Sequence, residues 1–455
     1  MKCIEDEIPF ELPEGWEWCR VRDIAAVKGG KRLPKGVGFS PCRTAHAYIR
    51  VTDMKNHCIN TDDLKYISEE VFLQIKNYTI SKDDLYVTIA GTIGVTGEVP
   101  TELDGMNLTE NAVKITNIQI NKNYLCLIIQ SEFVQQQFQD KPHQVAMPKL
   151  ALERILSTLI PVCTITTQSA MVSKFVEMDS LINQIREEKE ILAETVSLTK
   201  SKILDLAIRG KLVPQNPDDE PASVLLERIR AEKEELIKAG KIKRDKKESI
   251  IFKGDDNSYY EKVGAEIRCI DSEIPFEIPD GWMYERLGNI CSIARGGSPR
   301  PIENYLTDDE NGLNWIKIGD TEQGGKYIYS TKEKIRPEGL SKTRYVCSGD
   351  FLLTNSMSFG RPYILRTNGC IHDGWLVIGG IEIAFHQDYL YYMLSSSIMY
   401  NALSSLAVGS TVKNLKSDSV KSLLVPIPPL AEQACISRQI ENYFATMLPI
   451  ERSLS

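Results

Sequence analysis

The chain has 455 residues, of which 42% are hydrophobic and 25% charged, and a formal net charge of −8. That length predicts two or three domains rather than one core; no apolar run approaches the roughly 18 residues of a membrane span, and eleven scattered cysteines without a C-x-x-C pair argue against a zinc motif or a disulfide framework. The acidic balance excludes a chain that is basic overall, so any nucleic-acid surface must be built locally by folding.

The first twenty residues hold no apolar stretch, so no secretory signal is expected and the reducing cytoplasm is the expected compartment. Glu7 to Trp16 reads EIPFELPEGW, and Glu273 to Trp282 reads EIPFEIPDGW, with eight of ten positions identical at an offset of 266. Further matches follow in order: VKGGK (27–31) with ARGGS (294–298), YIRVTD with WIKIGD, KDDLYVT with CSGDFLLT, NYLCLII with DYLYYML, Pro161 with Pro426, and Gln168 with Gln433. The offset stays between 264 and 267, a register that chance similarity would not keep.

In chain order, GWEWCRVRDIAAVKGG begins with strand-like alternation. AYIRVTD, DLYVTIAG and NAVKITNIQI are β-branched runs closed by Gly, Asp or Asn, and Asn121 to Phe138 has helical spacing. From Gln168 to Arg209 there is no Gly or Pro. Apolar residues there recur at steps of four and three, Met171, Phe175, Met178, Ile182, Ile185, Leu192, Val196, Ile203 and Leu206, with Lys189 and Thr199 the two exceptions in the series. This predicts a helix with a heptad seam about 60 Å long. A connector follows, with a turn-rich VPQNPDDEP, a short helix over about 224–239 capped by Ser223, and a basic stretch, KIKRDKKES. The second copy repeats the strand runs and has helical spacing from Gln387 to Leu406. It closes on a shorter helix whose seam is Ile436, Ile440, Tyr443 and Met447, with a kink or end expected near Met447 because Pro449 removes a backbone donor.

The expected fold is therefore α+β: a tandem pseudo-two-fold repeat of two small sheet-plus-helix domains joined by long helices that form an antiparallel coiled coil. The boundaries are 1–167 for the first domain, 168–210 for the central helix, 211–267 for the connector, 268–432 for the second domain and 433–455 for the C-terminal helix.

No catalytic residue and no metal ligand set is assigned. There is no phosphate-binding GxxxxGK[ST] loop, no Asn/Asp-Pro-Pro-aromatic tetrapeptide of amino-methyltransferases, no H-E-x-x-H and no G-x-S-x-G, and the five histidines show no ligand spacing. Binding chemistry is expected instead in a Gly-rich, cationic loop at the same place in both copies: Lys28, Gly29, Gly30, Lys31 and Arg32, and Arg295, Gly296, Gly297 and Ser298. Glycines there would let backbone amides approach phosphate. Thr92, Asn355, Ser356, Ser358 and Arg361 follow a strand in each copy and could meet base edges or phosphates, and Lys149 and Lys413 precede the last strands.

These stretches, together with RGGSP, GDFLLTNSMSFGR, PIPPLAEQ and AIRGKLVPQNPDDEPASVLLERI, resemble the specificity subunit of type I restriction–modification systems over essentially the whole chain. The resemblance implies two target-recognition domains, each reading half of a split site in double-stranded DNA. It also implies helices that dock two methyltransferase subunits, which carry the S-adenosylmethionine, and a motor/nuclease subunit joined through the complex. No cofactor is expected on this chain, no membrane is implicated, and the chain itself is expected to be non-catalytic. A stand-alone two-headed DNA-binding or scaffold protein is the alternative. The first loop, GGKRLPKG, departs from the GGSP pattern that the second keeps.

Overall fold

The computed structural model describes residues 7–139, 149–242, 244, 248–322, 324–356, 359–407 and 414–454. The chain divides into two compact units, 1–186 and 187–455.

In the first unit, strand β1 (Glu17–Arg20) and β2 (Ala26–Gly29) are separated by one helical turn, Val21–Ile24, so the alternation expected as one strand becomes two. β3 (His46–Ile49), β4 (Leu85–Thr88), β5 (Met106–Leu108), β6 (Ala112–Thr116) and β7 (Leu159–Val162) follow. β2, β6 and β4 share one sheet, with β6 central to the other two; β3 and β5 run parallel in a second sheet. All four residues of β4 are buried. It is covered on both faces, which explains a continuous rather than alternating apolar run.

The helical spacing of 121–138 resolves into α1 (Lys122–Gln130) and α2 (Glu132–Gln139), broken at an extended Ser131. Asn121 caps α1 by accepting from the Tyr124 amide at 3.0 Å. α3 (Ile165–Ile208) is one helix of 44 residues, about 66 Å long.

The second unit contains an element that the sequence reading missed. After α4 (Ala222–Lys238), the connector folds into an antiparallel three-stranded sheet of β8 (Ser249–Lys253), β9 (Tyr259–Val263) and β10 (Glu266–Cys269). The domain then repeats the first in topology with β11 (Met283–Arg286), β12 (Ser292–Arg295), β13 (Leu313–Ile316), β14 (Phe351–Thr354), β15 (Gly369–Ile371), β16 (Trp375–Gly379) and β17 (Leu424–Ile427). β12–β16–β14 reproduces β2–β6–β4, and the parallel pair β13–β15 reproduces β3–β5. The helical spacing of 387–406 again divides, into α5 (Gln387–Ser395) and α6 (Ser397–Leu406), where Ser396 accepts from the Met399 amide at 3.3 Å.

The shared residues of the repeat are structural. β1 pairs antiparallel with β7, and β11 with β17, so each domain is closed by its own first and last strands. Arg20 donates to Glu7 at 2.8 Å and to the Ser157 carbonyl; Arg286 donates to Glu273 at 2.7 Å and to the Ser422 carbonyl at 2.8 Å. The Pro-x-Gly-Trp turns match as well: the Trp16 amide donates to the Pro13 carbonyl and the Trp282 amide to the Pro279 carbonyl, with Gly15 and Gly281 at φ +82 and +84. A side chain there would be strained. Buried Gln168 accepts from the Asn121 amide and donates to the Cys163 carbonyl, and buried Gln433 repeats this with the His386 amide and the Pro428 carbonyl.

The final helix, α7 (Leu430–Leu454), does not end near Met447. It continues through Pro449, and Glu451, beyond the proline, pairs with Lys200 of α3 at 2.6 Å. Lys200 also lies 5.1 Å over the Phe444 ring, while Gln215, beyond the end of α3, bonds Glu432 at the start of α7. The C-terminal half of α3 and α7 are thus antiparallel within this unit. Val196, Ile203, Leu204 and Ala207 of α3 and Ile436, Ile440 and Met447 of α7 are all buried in the main hydrophobic cluster of this unit. Tyr443, expected in the seam, is exposed, and Phe444 faces inward instead. The earlier part of the expected seam is not covered: Met171, Phe175, Met178, Ile182, Ile185 and Leu192 are all exposed. Among the described residues, no helix is long and apolar enough to cross a membrane.

β9 adds a second carboxylate to the clamp of the second unit. Glu261 is buried and accepts from both Arg286 and Arg268. The Arg286 hydrogen bond, outweighing burial and helped by Ser249 and Arg268, holds its carboxyl at about 2 against an ordinary 4.5. The folded value lies below the unfolded one, so this contribution is complete above about pH 4.5 and lost as pH falls towards 2. Glu261→Gln is expected to cost about 3 kcal/mol at pH 7, the low end for breaking a buried pair because Arg286 keeps Glu273, and to flatten the stability profile of the full chain between those pH values. Denaturant melts of wild type and variant at pH 3, 4.5 and 7 measure this; parallel profiles would remove Glu261 from the clamp.

Candidate nucleic-acid interface

In each domain the chain leaves its second strand and passes under the end of the parallel strand pair. A Cβ on Gly30 would overlap the carbonyl oxygens of Thr109 and Leu108; one on Gly296 would overlap those of His372 and Ile371. Only glycine permits this approach. The Gly30 and Lys31 amides already donate to Ala112 and Leu108, and those of Gly296 and Gly297 to Trp375 and Ile371. The glycines therefore serve packing, and these amides are engaged by the protein rather than offered to a phosphate. The match also corrects the alignment: Gly30 corresponds to Gly296, an offset of 266, not Gly29 to Gly296. Arg32 then stands opposite Ser298.

What the approach brings together is a three-residue loop between strands, Thr109-Glu110-Asn111 in the first domain and His372-Asp373-Gly374 in the second. Arg32 Nε donates to Glu110 Oε1 at 2.6 Å, while the Arg32 side chain stays 79% exposed. Thr109 and Tyr48 hydroxyls reach Glu110 Oε2 at 3.1 and 3.4 Å, and Lys149 Nζ reaches the Glu110 carbonyl at 3.3 Å. The loop that carries exposed Thr92 is bound to the same place, since the Ile89 and Ala90 amides donate to the Asn111 carbonyl. Lys28 is exposed on β2 beside it.

In the second domain Ser298 Oγ donates to Asp373 Oδ1 at 2.9 Å, and Arg295 Nε and Asn355 Nδ2 donate to the Asp373 carbonyl at 2.9 and 2.8 Å. Arg300, which the sequence reading did not select, lies 3.5 Å from Asp373 Oδ2 with its side chain 81% exposed. His372 Nδ1 accepts from the Gly374 amide at 2.9 Å, so Nε2 carries the proton and faces Asp373 Oδ1 at 3.0 Å. Arg344 donates to the Arg295 carbonyl and is itself exposed. Asn355 is buried and steadies the loop instead of facing solvent; Ser356 is half-buried and Arg361 exposed. Ser358 and Lys413 lie outside the described residues. By backbone pairing the partner of Lys149 is Asn414, because Leu150 and Leu415 donate to Ile89 and Asn355.

The carboxylates are ionised. Burial works to raise Glu110 and Asp373, but the Arg32 hydrogen bond in one and the Ser298 hydrogen bond with nearby cations in the other carry them below the ordinary range. Burial holds His372 below its usual value, with Lys317, Arg295 and Arg300 adding to the effect against Asp373. A cleft of about 800 Å³ opens beside this loop, with Trp315, Ile302 and Leu306 on its apolar side and Arg300, Lys317 and His372 among its polar lining. Among the described residues no group of three His, Cys, Asp or Glu could hold a metal.

The sequence reading missed Glu110, Asp373, His372, Arg300 and Arg344. Aligning MNLTENAVKIT with GCIHDGWLVIG would have exposed the acid in both loops, but no repeat of identical residues marks it.

Two domains of one topology, each presenting an exposed arginine beside a loop carboxylate, define a two-headed binding protein. The chain matches the family described as type I restriction modification DNA specificity domain over residues 13–194 and 279–454, and it belongs to that family. It is similar to the type I restriction enzyme EcoEI specificity subunit of Escherichia coli, at 24% identity over 98% of this chain and 80% of the relative. To the EcoAI specificity subunit of the same organism it is 28% identical, over 64% of this chain and 54% of that one. In fold it resembles a chain from a study of complex assembly and conformational transition of the type I R-M system, with TM-score 0.59, 16% identity and coverage of 98% and 94%. It also resembles the HsdS subunit of Thermoanaerobacter tengcongensis, with TM-score 0.54, 17% identity and coverage of 99% and 94%.

Gly30→Ala and Gly296→Ala are each expected to cost about 1–3 kcal/mol through forced displacement of the loop, whereas Gly29→Ala, with nothing within 4 Å of its Cβ, is expected to be tolerated. Thermal melts of the three variants provide the comparison.

Proposed function

We propose that this chain is the non-catalytic specificity subunit of a type I restriction–modification complex, in which each domain reads one half of a bipartite site in double-stranded DNA. The observation that carries this reading is the paired loop face. The two domains share strand order, closure and acid position, yet present different side chains, Lys31, Arg32 and Lys149 in one and Ser298, Arg300 and Arg344 in the other. Exposed cations supply phosphate affinity, and the differing hydroxyl and cationic groups supply sequence. Two unlike faces give an asymmetric target.

The row Met171, Phe175, Met178, Ile182 and Ile185 supports a second role. It is apolar and exposed on a helix otherwise rich in charge, the character of a surface that a partner covers. In this reading the helices dock two methyltransferase subunits, those subunits bind S-adenosylmethionine, and motor/nuclease subunits join through the complex. Ten described cysteines, all unpaired, agree with residence in the cytoplasm.

Replacing residues 1–167 by the corresponding unit of a relative is expected to change one half of the methylated sequence and leave the other, read by sequencing of modified sites. A change in both halves, or in neither, overturns the modular reading. Phe175→Glu with Ile182→Glu is expected to abolish co-purification with the methyltransferase while leaving the melting temperature within a few degrees of wild type; retained co-purification would place the docking surface elsewhere.

A further inference from the structure

Each proposed reading face is built around a carboxylate, although a surface that meets phosphates ordinarily excludes negative charge. Glu110 is the middle residue of the loop between β5 and β6, and Asp373 the middle residue of the loop between β15 and β16. Both sit where the glycine approach presses the cationic loop against the strand ends. Both accept from the residue two positions after that glycine, Arg32 in one domain and Ser298 in the other.

The pairing is matched in reach. The longer Glu110 arm extends to a guanidinium that is mostly solvent-exposed. The shorter Asp373 bonds a hydroxyl beside it while Arg300 stands at the edge of contact. The acids keep intermediate exposure, 24% for Glu110 and 29% for Asp373, so they lie at the face rather than beneath it.

Resting on the reading of these faces as DNA half-site readers, we infer that Glu110 and Asp373 are positioning residues that set specificity, each for its own half-site. Each acid fixes the orientation of the loop donors that meet base edges. Each also withholds its cation from indiscriminate pairing with phosphate, since a guanidinium bonded to a carboxylate binds a phosphate only after exchanging partners. Removing the charge while keeping the shape therefore frees the cation. Non-specific affinity rises, discrimination falls, and the loss is confined to one half of the target.

The test uses the full chain in complex with its methyltransferase subunits. Glu110→Gln and Asp373→Asn are compared with wild type on duplexes carrying the target, the target with one half substituted, and unrelated sequence, across a salt series. For Glu110→Gln the ratio of specific to non-specific binding at the first half is expected to fall about tenfold or more. Non-specific binding is expected to gain about one unit of salt slope, and discrimination at the second half to stay within about twofold. Asp373→Asn gives the reciprocal pattern. In an Arg32→Ala background, Glu110→Gln is expected to lose its effect on the salt slope, because the two act through one contact.

An unchanged ratio at the variant's own half overturns the inference. So does equal weakening at both halves with a lowered melting temperature, which would make the acid a fold residue. Should one variant fail to fold, the acid in the other domain carries the test alone. The domain exchange separates this from the parent reading: if exchanging residues 1–167 alters neither half, the reading itself has failed, whereas one altered half with an inert Glu110→Gln refutes only the acid's role.

Discussion

Each domain begins and ends in the same antiparallel pair, β1 with β7 and β11 with β17. The arginine of the first strand bridges a carboxylate before it and a carbonyl before the last strand. This closure fixes where the chain enters a domain and where it leaves for a long helix. The buried Gln168 and Gln433 then bind the helix start to the domain through the same two backbone groups. A helix held in this way takes its direction from the sheet, and the loops at the far ends of the strands can vary without disturbing either. The twin EIPFE-x-P-x-GW stretches belong to this closure. They supply the acid, the turn and the Trp, and none of them lies in the loop face.

Much of this was legible in the sequence because closure tolerates few substitutes. An arginine that must reach one acid and one carbonyl, a glycine at positive φ and a glutamine with both ends engaged leave identical residues at an offset of 265 or 266. The helices were legible through their spacing, but their interruptions at Ser131 and Ser396 were not, since a serine in an apolar period reads as a tolerated polar position until its hydroxyl is seen on a backbone amide. The small sheet β8–β10 was hidden in a connector that charge made look solvated. One tie between it and the domain is the ion cluster of buried Glu261 with Arg268 and Arg286, and charges distant in sequence carry no periodic signal.

The long helices show the limits of periodicity in a different way. A heptad pattern states that a stripe is apolar, not what covers it. In α3 the stripe continues through both halves, yet the structure covers Val196 and Ile203 and leaves Phe175 and Ile182 in solvent. Pro449 illustrates the converse. The helix loses one donor there, yet it continues to Leu454, and Glu451 beyond the proline meets Lys200, far away in sequence, at 2.6 Å.

The loop face was partly legible, for a reason that bears on how the protein discriminates. Glycine and cation composition singled out the segment that packs against the strand ends in both domains, and there the glycines allow the close approach while their amides are engaged inside the protein. With the amides engaged, the groups left at the loop are side chains: a guanidinium on Glu110 in one domain, a hydroxyl and two nearby guanidinium groups around Asp373 in the other. With a net charge of −8, long-range attraction to DNA is weak, and each exposed cation near the face matters more than it would on a basic protein. On the proposed role of Glu110 and Asp373, tying those cations to a carboxylate would lower affinity for arbitrary phosphate further. For a chain whose role is to tell one sequence from all others, that loss is useful, since discrimination is a difference of affinities and gains whenever the non-cognate term is reduced more than the cognate one.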